Sequence, residues 1–320
     1  MRTTVGKQDA RTTGCPLVSV VLPTRNRVDL IPRAVTSVLA QSEKDLELIV
    51  IDDASEDGTS EYLAAVARRD SRVHVVRNAA PQGGAGARNE GIAGCRGKWI
   101  AFLDDDDEWM STKLQQQLRK LDAEPHAVAC SCSYIVSSAS GSSRIMQVPQ
   151  SVTLRQLLTR NCLGGASMCL CSGAVLKDIG GFDRKFVSGQ DFDLWVRLRQ
   201  KGNVVTCNEP LVVHRAHDGP RITTNMRAQY LGTRHFYFKH RNLMDTPLRR
   251  HWISFTCFMM SRQTTRALGY RMRYLLLSLR NSSPRFSLAY VKGSLPRLLR
   301  DVLRASVDDR SHAFPEAGER

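Results

Sequence analysis

Short apolar runs alternate with segments of helical periodicity over the first 136 residues, and that alternation admits few architectures. Runs at 18–23 (VSVVLP), 46–52 (LELIVID), 73–78 (VHVVRN), 99–104 (WIAFLD) and 127–136 (AVACSCSYIV) have strand length and strand-like composition. Between them, Leu30, Ile31, Ala34, Val35, Val38 and Leu39 repeat at helical spacing. DGTSEYLAAVARR opens a second helix with Thr59 or Ser60 available as its N-cap. GAGARNEGIAG reads as a short Gly- and Ala-rich helix, and Leu114, Leu118 and Leu121 line one face of a polar fourth. Strands separated by helices predict an α/β fold with an open, doubly wound, mostly parallel sheet.

Two of these runs end in acid. Asp52 and Asp53 close the second, and Asp104, Asp105, Asp106 and Asp107, followed by Glu108, close the fourth. Charge runs are usually solvated turns. The alternative is that the mutual repulsion is relieved by a hard divalent cation, Mg²⁺ or Mn²⁺, which takes oxygen ligands. In doubly wound sheets a ligand sits beyond the carboxyl ends of the strands. Both carboxylate groups therefore face one crevice, which favours a site.

Charge is unevenly spread. Of a formal net +15, residues 221–320 hold 19 Lys and Arg against 6 Asp and Glu, which leaves the front nearly neutral. A tail of this kind meets phosphate, in lipid headgroups or nucleic acid. Nine cysteines cannot all pair internally, and the alternate spacing of Cys130 with Cys132 and of Cys169 with Cys171 suits buried strand thiols better than zinc. Reduced thiols point to the cytoplasm. The N-terminal MRTTVGKQDARTTGCPL has no apolar h-region, so no secretory signal is expected. No apolar run reaches the roughly 18 residues of a membrane span.

Past residue 150 the pattern is mixed. GGASMCLCS reads as a strand and GGFD (180–183) as a turn. QDFDLWVRLRQKG is a helix with Leu194, Trp195 and Leu198 facing inward, and EPLVVHRAH is a last strand-like segment. The Ser-rich SSASGSS reads as a loop, and only helical patterns follow residue 225.

In this order, VSVVLPTRNR, IVIDDASEDGT, GAGARNEGI, IAFLDDDDEW, GGFD, GQDFDLWVRL and HRAH resemble the family 2, GT-A fold, inverting glycosyltransferases. The resemblance covers residues 17 to about 220 and implies a GT-A domain at 17–224, while residues 1–16 read as a flexible N-terminus and residues 225–320 as a basic, mostly helical appendage. It further implies transfer of a sugar from a nucleotide-diphosphate donor, assisted by Mg²⁺ or Mn²⁺. Asp104 and Asp106 occupy the family's Asp-x-Asp, with Asp106 as the direct metal ligand. Asp105 and Asp107 are expected to shape the loop or approach sugar hydroxyls. Asp53 is expected to accept a hydrogen bond from the base, flanked by Pro23, Thr24 and Arg25. Arg88 holds the place of the family's Ala-Arg-Asn arginine near the nucleotide, where a structural salt bridge is its rival role. The family's general base lies in a Glu-Asp pair that here reads Gln190-Asp191, which makes Asp191 the candidate base. Asp193 is read as structural, and His217 matches a position able to face the metal or diphosphate.

A metal-dependent nuclease or phosphohydrolase would also use an acid cluster. The tail shows no RRM, KH or zinc-finger pattern, however, and nucleic acid is not an expected partner. A dinucleotide-binding enzyme is weaker, because GGAGARNEG lacks the glycine spacing and follows the third run. A nucleotide-sugar-binding protein without turnover has only Gln190 in its favour. Processive synthases of the family carry a Gln-x-x-Arg-Trp segment and membrane spans, and neither occurs here. The implied role is single-sugar transfer to a glycan or lipid-linked acceptor in surface polysaccharide assembly. In the tail, Leu268, Met272, Leu275, Leu276 and Leu279 share one helical face. Leu295, Leu298, Leu299, Val302 and Leu303 share another, beside Arg297, Arg300 and Arg304. Such faces usually pack inward. The positive excess instead suggests an anionic membrane surface, with the protein peripheral on the inner face of the cytoplasmic membrane.

Overall fold

The computed structural model describes residues 14–137, 142–215, 225–261 and 268–281. The chain divides into two compact units, Met1–Pro220 and Arg221–Arg320.

In the first unit, β1 (Val18–Thr24) pairs in parallel with β2 (Leu46–Asp52) and with β4 (Trp99–Phe102), while β2 pairs in parallel with β3 (Val73–Arg77). Every residue of β2 and of β4 is buried, as expected of parallel strands covered on both faces. Helices α1 (Ile31–Leu39), α2 (Thr59–Arg69) and α3 (Gly83–Gly94) make the crossovers. On α1, Ile31, Ala34, Val35 and Val38 are buried, and Pro32 occupies the first turn, where its missing N–H costs nothing. The glycines of α3 permit close approach to the sheet. A Cβ on Gly91 would stand 2.4 Å from Val21 Cγ1.

Beyond β4 the sheet turns mixed. Its order among the described residues is β3-β2-β1-β4-β8-β6-β9-β5, with β7 on the side of β6. Here β5 is Asp107–Trp109, β6 Ala127–Ser137, β7 Ser143–Met146, β8 Leu170–Ser172 and β9 Asn203–Arg215. Strand β8 runs antiparallel to both β4 and β6, whereas β9 is parallel to β6. Helices α4 (Lys113–Asp122), α5 (Leu154–Thr159), α6 (Gly173–Asp178) and α7 (Gln190–Lys201) complete the unit. On α7, Leu194, Trp195 and Leu198 are buried, as the periodicity required.

Local details differ from the expectations. Neither Thr59 nor Ser60 caps α2. The N-cap is Gly58, in left-handed conformation at φ +84°, and the Asp57 carboxylate accepts from the Thr59 N–H at 3.1 Å. The last strand starts at Asn203 and not near 209. Pro210 lies at a register shift against β6, where a proline costs no ladder bond. Within GGASMCLCS only Leu170–Ser172 is strand, and Ala166–Met168 is a 3₁₀ turn. Residues 138–141 of the Ser-rich segment lie outside the described residues, and β7 begins at Ser143. All nine thiols are free, with Cys130, Cys132, Cys169 and Cys171 buried.

The second unit contains α8 (Met226–His240), α9 (Thr246–Ser261) and α10 (Leu268–Asn281). Phe236 packs on Trp252 at a centroid distance of 4.8 Å, and Phe258, Met259 and Leu275 form a small core. The shared face expected on α10 is divided: Leu275 is buried, while Met272 and Leu276 are exposed. Helices α9 and α10 meet along Leu275 and Ser278, where the Ser254 hydroxyl donates to the Ser278 carbonyl at 2.9 Å, and this seam leaves Leu276 outside. The side chains of Leu268 and Leu279, the 295–304 pattern, His217 and residues 1–13 lie outside the described residues. Among the described residues, no helix is long and apolar enough to cross a membrane.

Candidate active site

The loops after β1 and β2 are knitted together. Ser55 and Thr59 hydroxyls accept from the Asn26 and Arg27 N–H groups, and the Asn26 side chain accepts from the Glu56 N–H at 2.8 Å. Two non-glycine residues in these loops are left-handed, Asn26 at φ +53° and Ala54 at φ +62°. For Ala54, directly after the buried Asp52 and Asp53, this conformation costs about 1–2 kcal/mol, and its N–H is held by the Asp52 carbonyl at 2.9 Å. Asp52, fully buried, accepts from the Ser55 N–H and from the Ser60 hydroxyl. Asp53 receives the Gln82 and Gly83 N–H groups that open α3, at 2.7 and 2.8 Å, and the Asn78 amide at 2.8 Å. Three donors fill three of the roughly four acceptor positions of a carboxylate. The strand-end acid expected to meet a base thus also anchors the start of α3. Nearby, Thr24 is buried, Pro23 half-buried and Arg25 exposed.

The four successive aspartates avoid one another by taking separate partners. Asp104 accepts from Arg88 Nη2 at 2.5 Å, and its N–H donates to the Ser167 hydroxyl. Asp105 turns back to β1, where the Thr24 hydroxyl donates to it at 2.8 Å and Arg27 lies 3.9 Å away. Burial pushes its carboxyl up to about 7; the Thr24 hydroxyl and Arg27 oppose the rise, and the charges of Asp106 and Asp104 add to it. Asp107 is buried in β5 with its Oδ1 2.9 Å from His214 Nδ1 on β9, directly opposite in register. Burial raises its pKa too, against the pull of His214. The half-exposed Asp106 lies between these commitments.

Arg88 projects from α3 into the same region. One terminal nitrogen engages Asp104, and the other donates to Gln190 Oε1 at 3.2 Å. The guanidinium lies over the Phe182 ring at 5.3 Å, and its buried Nε has no hydrogen-bond partner. Its burial penalty is outweighed by the charges of Asp104, Asp191 and Asp105, so its pKa is raised and it stays charged. The salt bridge weighed as a rival role for Arg88 is therefore present, with the Arg88 side chain largely buried. Asp191 is the second residue of α7, behind Gly189 at φ +79°. Burial pushes its carboxyl up to about 6; Arg88 restrains the rise, and Asp104 and Asp107 add to it. These charge interactions draw Asp191, Arg88 and the aspartate cluster into one electrostatic unit. Asp193 stands apart, fully buried and paired with Arg197 at 2.7 Å one turn along.

Two features were not legible beforehand. Within HRAH, His214 pairs with Asp107, and its signal was its place one strand residue before Arg215, which pairs with Glu108 at 2.7 Å. The α3 N-terminus as partner of Asp53 has no signature beyond Asn78 and the glycines.

The donor set suits a hard cation chemically, since every carboxylate here offers oxygen. Among the described residues there is no group of three or more His, Cys, Asp or Glu placed to hold a metal by itself. Magnesium sites commonly use one or two carboxylates and draw the rest of their ligands from substrate phosphates and water. Asp106 fits that mode better than a closed protein cage does.

Comparison with known proteins gives concordant findings. The model of the family described as Glycosyl transferase family 2 matches residues 19–178. The UDP-Glc:alpha-D-GlcNAc-diphosphoundecaprenol beta-1,3-glucosyltransferase WfgD of Escherichia coli is 31% identical over 192 residues, covering 60% of this chain and 73% of that protein. The structure of Staphylococcus aureus TarS in complex with UDP-GlcNAc superposes with a TM-score of 0.58 at 18% identity, covering 86% of this chain and 92% of the other. The mannosyltransferase PcManGT from Pyrobaculum calidifontis, in complex with GDP-Man and Mn²⁺, gives a TM-score of 0.60 at 18% identity, covering 94% and 89%. At these identities the two structures speak to the fold, which is GT-A.

Proposed function

We infer the activity of this chain from one premise: it belongs to glycosyl transferase family 2. It moves a single sugar, with inversion, from a nucleotide-diphosphate sugar to a hydroxyl of a glycan or lipid-linked acceptor in cell-surface polysaccharide assembly. One observation carries the residue assignments. A raised carboxyl at the start of α7 and a buried arginine with an unpaired Nε share a region with the aspartates that end β4.

In this reading Asp53 keeps its fourth acceptor position for the base, with Pro23, Thr24 and Arg25 lining the nucleoside side. Arg88 Nε donates to a diphosphate oxygen. Asp104 and Asp105 orient donor hydroxyls. Asp106 would hold Mg²⁺ or Mn²⁺, and His217 is a second candidate ligand; the ion, when bound, supplies Lewis-acid stabilisation of the leaving diphosphate. Asp191, ionised, accepts the proton of the acceptor hydroxyl as its oxygen bonds to the anomeric carbon. The electron pair of the cleaved C–O bond departs with the nucleoside diphosphate, and the proton remains on Asp191. Gln190 lacks the charge of the family's glutamate. Its amide oxygen still holds Arg88, and Asp104 supplies the counter-charge.

The relative acting on a diphosphoundecaprenol-linked sugar supports a lipid-linked acceptor here, and hence a place against the inner face of the cytoplasmic membrane, reached through the basic second unit. The test is a donor screen by saturation-transfer NMR with Mn²⁺, followed by transfer to a GlcNAc-diphosphate-lipid. Failure of every nucleotide sugar to bind would refute the proposal.

A further inference from the structure

Helix α8 is built with two unlike faces. Gly232, Phe236 and His240, at i, i+4 and i+8, are buried against its own unit. The opposite face presents Arg227, Leu231, Arg234 and Phe238, and the turn that follows continues the row with Arg241. These five positions fall at i, i+4, i+7, i+11 and i+14, a single stripe about 21 Å long at 1.5 Å per residue. Leu231 is 38% exposed and Phe238 50%. Two large apolar side chains at the surface need an occupant, and the charge around them says which kind. Arg234 and Arg241 each place a guanidinium over the Phe238 ring, at 5.4 and 5.5 Å. Neither α8, α9 nor α10 contains an acidic residue, and the described part of the unit has Asp245 as its sole acid against nine Arg and Lys.

We propose that the Arg227–Leu231–Arg234–Phe238–Arg241 face of α8 is the surface by which the protein docks on an anionic phospholipid bilayer. This deepens the membrane placement above and rests on it. Arginine stems lie along apolar surface while their heads reach phosphate, and an aromatic ring between them sits at the boundary of headgroup and acyl chain. Nucleic acid is the weaker fit. Base stacking needs an open aromatic face, and two guanidinium groups already lie over this ring. A second copy of the chain is weaker still, because three arginines would meet three arginines.

The experiment is flotation of the full chain with phosphatidylcholine vesicles, with and without phosphatidylglycerol. Each arginine near an anionic surface is worth about a fivefold gain in partitioning, and a buried phenylalanine about tenfold or more. Arg234→Ser with Arg241→Ser should therefore lower partitioning about 25-fold, and Phe238→Ser should lower it about tenfold. Arg250→Ser, an exposed charge on α9, should change it by less than about twofold. Transfer to a detergent-dispersed acceptor should be untouched by all of them, so loss of docking is distinguished from loss of catalysis. If the wild type floats and the α8 variants float equally well, the face is wrong although the membrane placement stands. If the wild type does not float on anionic vesicles, both are wrong. Release of vesicle-bound protein by a random RNA oligomer, or a Phe238→Ser shift from dimer to monomer in sedimentation, would reassign the face to those partners.

Discussion

Replacing Asp191 by Asn removes one charge while keeping the shape of the side chain at the start of α7. Burial holds the Asp191 carboxyl at about 6, so at pH 7 about nine-tenths of the molecules carry the ionised base. Turnover of the wild type should then fall as pH drops through 6, about tenfold per unit below it, because only the ionised form accepts a proton. A raised carboxyl pKa also means that the unfolded chain ionises first. Stability from this group is full below the unfolded value and is lost as pH rises through about 6. Asp191→Asn is therefore expected to reduce kcat by about 10²–10⁴, or about 3–5 kcal/mol of barrier. It should leave donor KM near normal and melt at pH 7.5 no lower than the wild type. The assay is a radiolabelled-donor transfer profile from pH 5 to 9, beside thermal unfolding. A variant that keeps most of its turnover, or keeps the wild-type acid limb, would refute the assignment. A variant that is inactive and also strongly destabilised would mean that the carboxylate serves the fold.

Asp106→Ala should abolish Mn²⁺-dependent donor binding in calorimetry with an unchanged far-ultraviolet spectrum; unchanged affinity contradicts its role as the ion's ligand. Gly91→Ala places a methyl group 2.4 Å from Val21 Cγ1 and should destabilise by about 1–3 kcal/mol in urea unfolding, whereas an unchanged midpoint would mean that α3 is free to shift. Glu47 is buried, and its burial penalty is overcome by hydrogen bonds from the Ser19 hydroxyl and from the Arg96 N–H and guanidinium, so its pKa is lowered. Its stabilisation is present above the unfolded value and lost as pH falls through the folded one. Glu47→Gln should therefore flatten the acid limb of the stability profile, and a profile identical to that of the wild type would show that the pair contributes nothing.

At the front of the sheet β1, β2 and β4 were readable because they are buried almost throughout, β3 because its run is β-branched although most of it is exposed, and α1 because its apolar residues repeat at helical spacing. Strand β5 was not readable. It has three residues, starts on an aspartate, and is a strand only because β9 lies opposite it. His214 was not readable for the same reason, since Asp107, expected to shape the loop or approach sugar hydroxyls, is its partner only through the β5–β9 pairing. The aspartate cluster was legible as a candidate site from its two strand ends, but the separate partners of its members were not. Asp105 turns to Thr24 across the β1–β4 pair, and Asp104 to Arg88 on a helix 16 residues earlier. The second of these partners is set by the packing of α3, which depends on glycines that periodicity does not count. On α10 the pattern showed an apolar face without showing how much of it α9 would cover.

Inversion at the anomeric carbon is the most direct test of the account, because it requires a base opposite the leaving diphosphate and one displacement only. Once a donor is identified, the product made with Mn²⁺ and a lipid-diphosphate acceptor would be followed by proton NMR from the first turnover. An α-linked nucleotide sugar is expected to yield a β-linked product with the wild type and almost none with Asp191→Asn. An α-linked product from that donor would contradict the account.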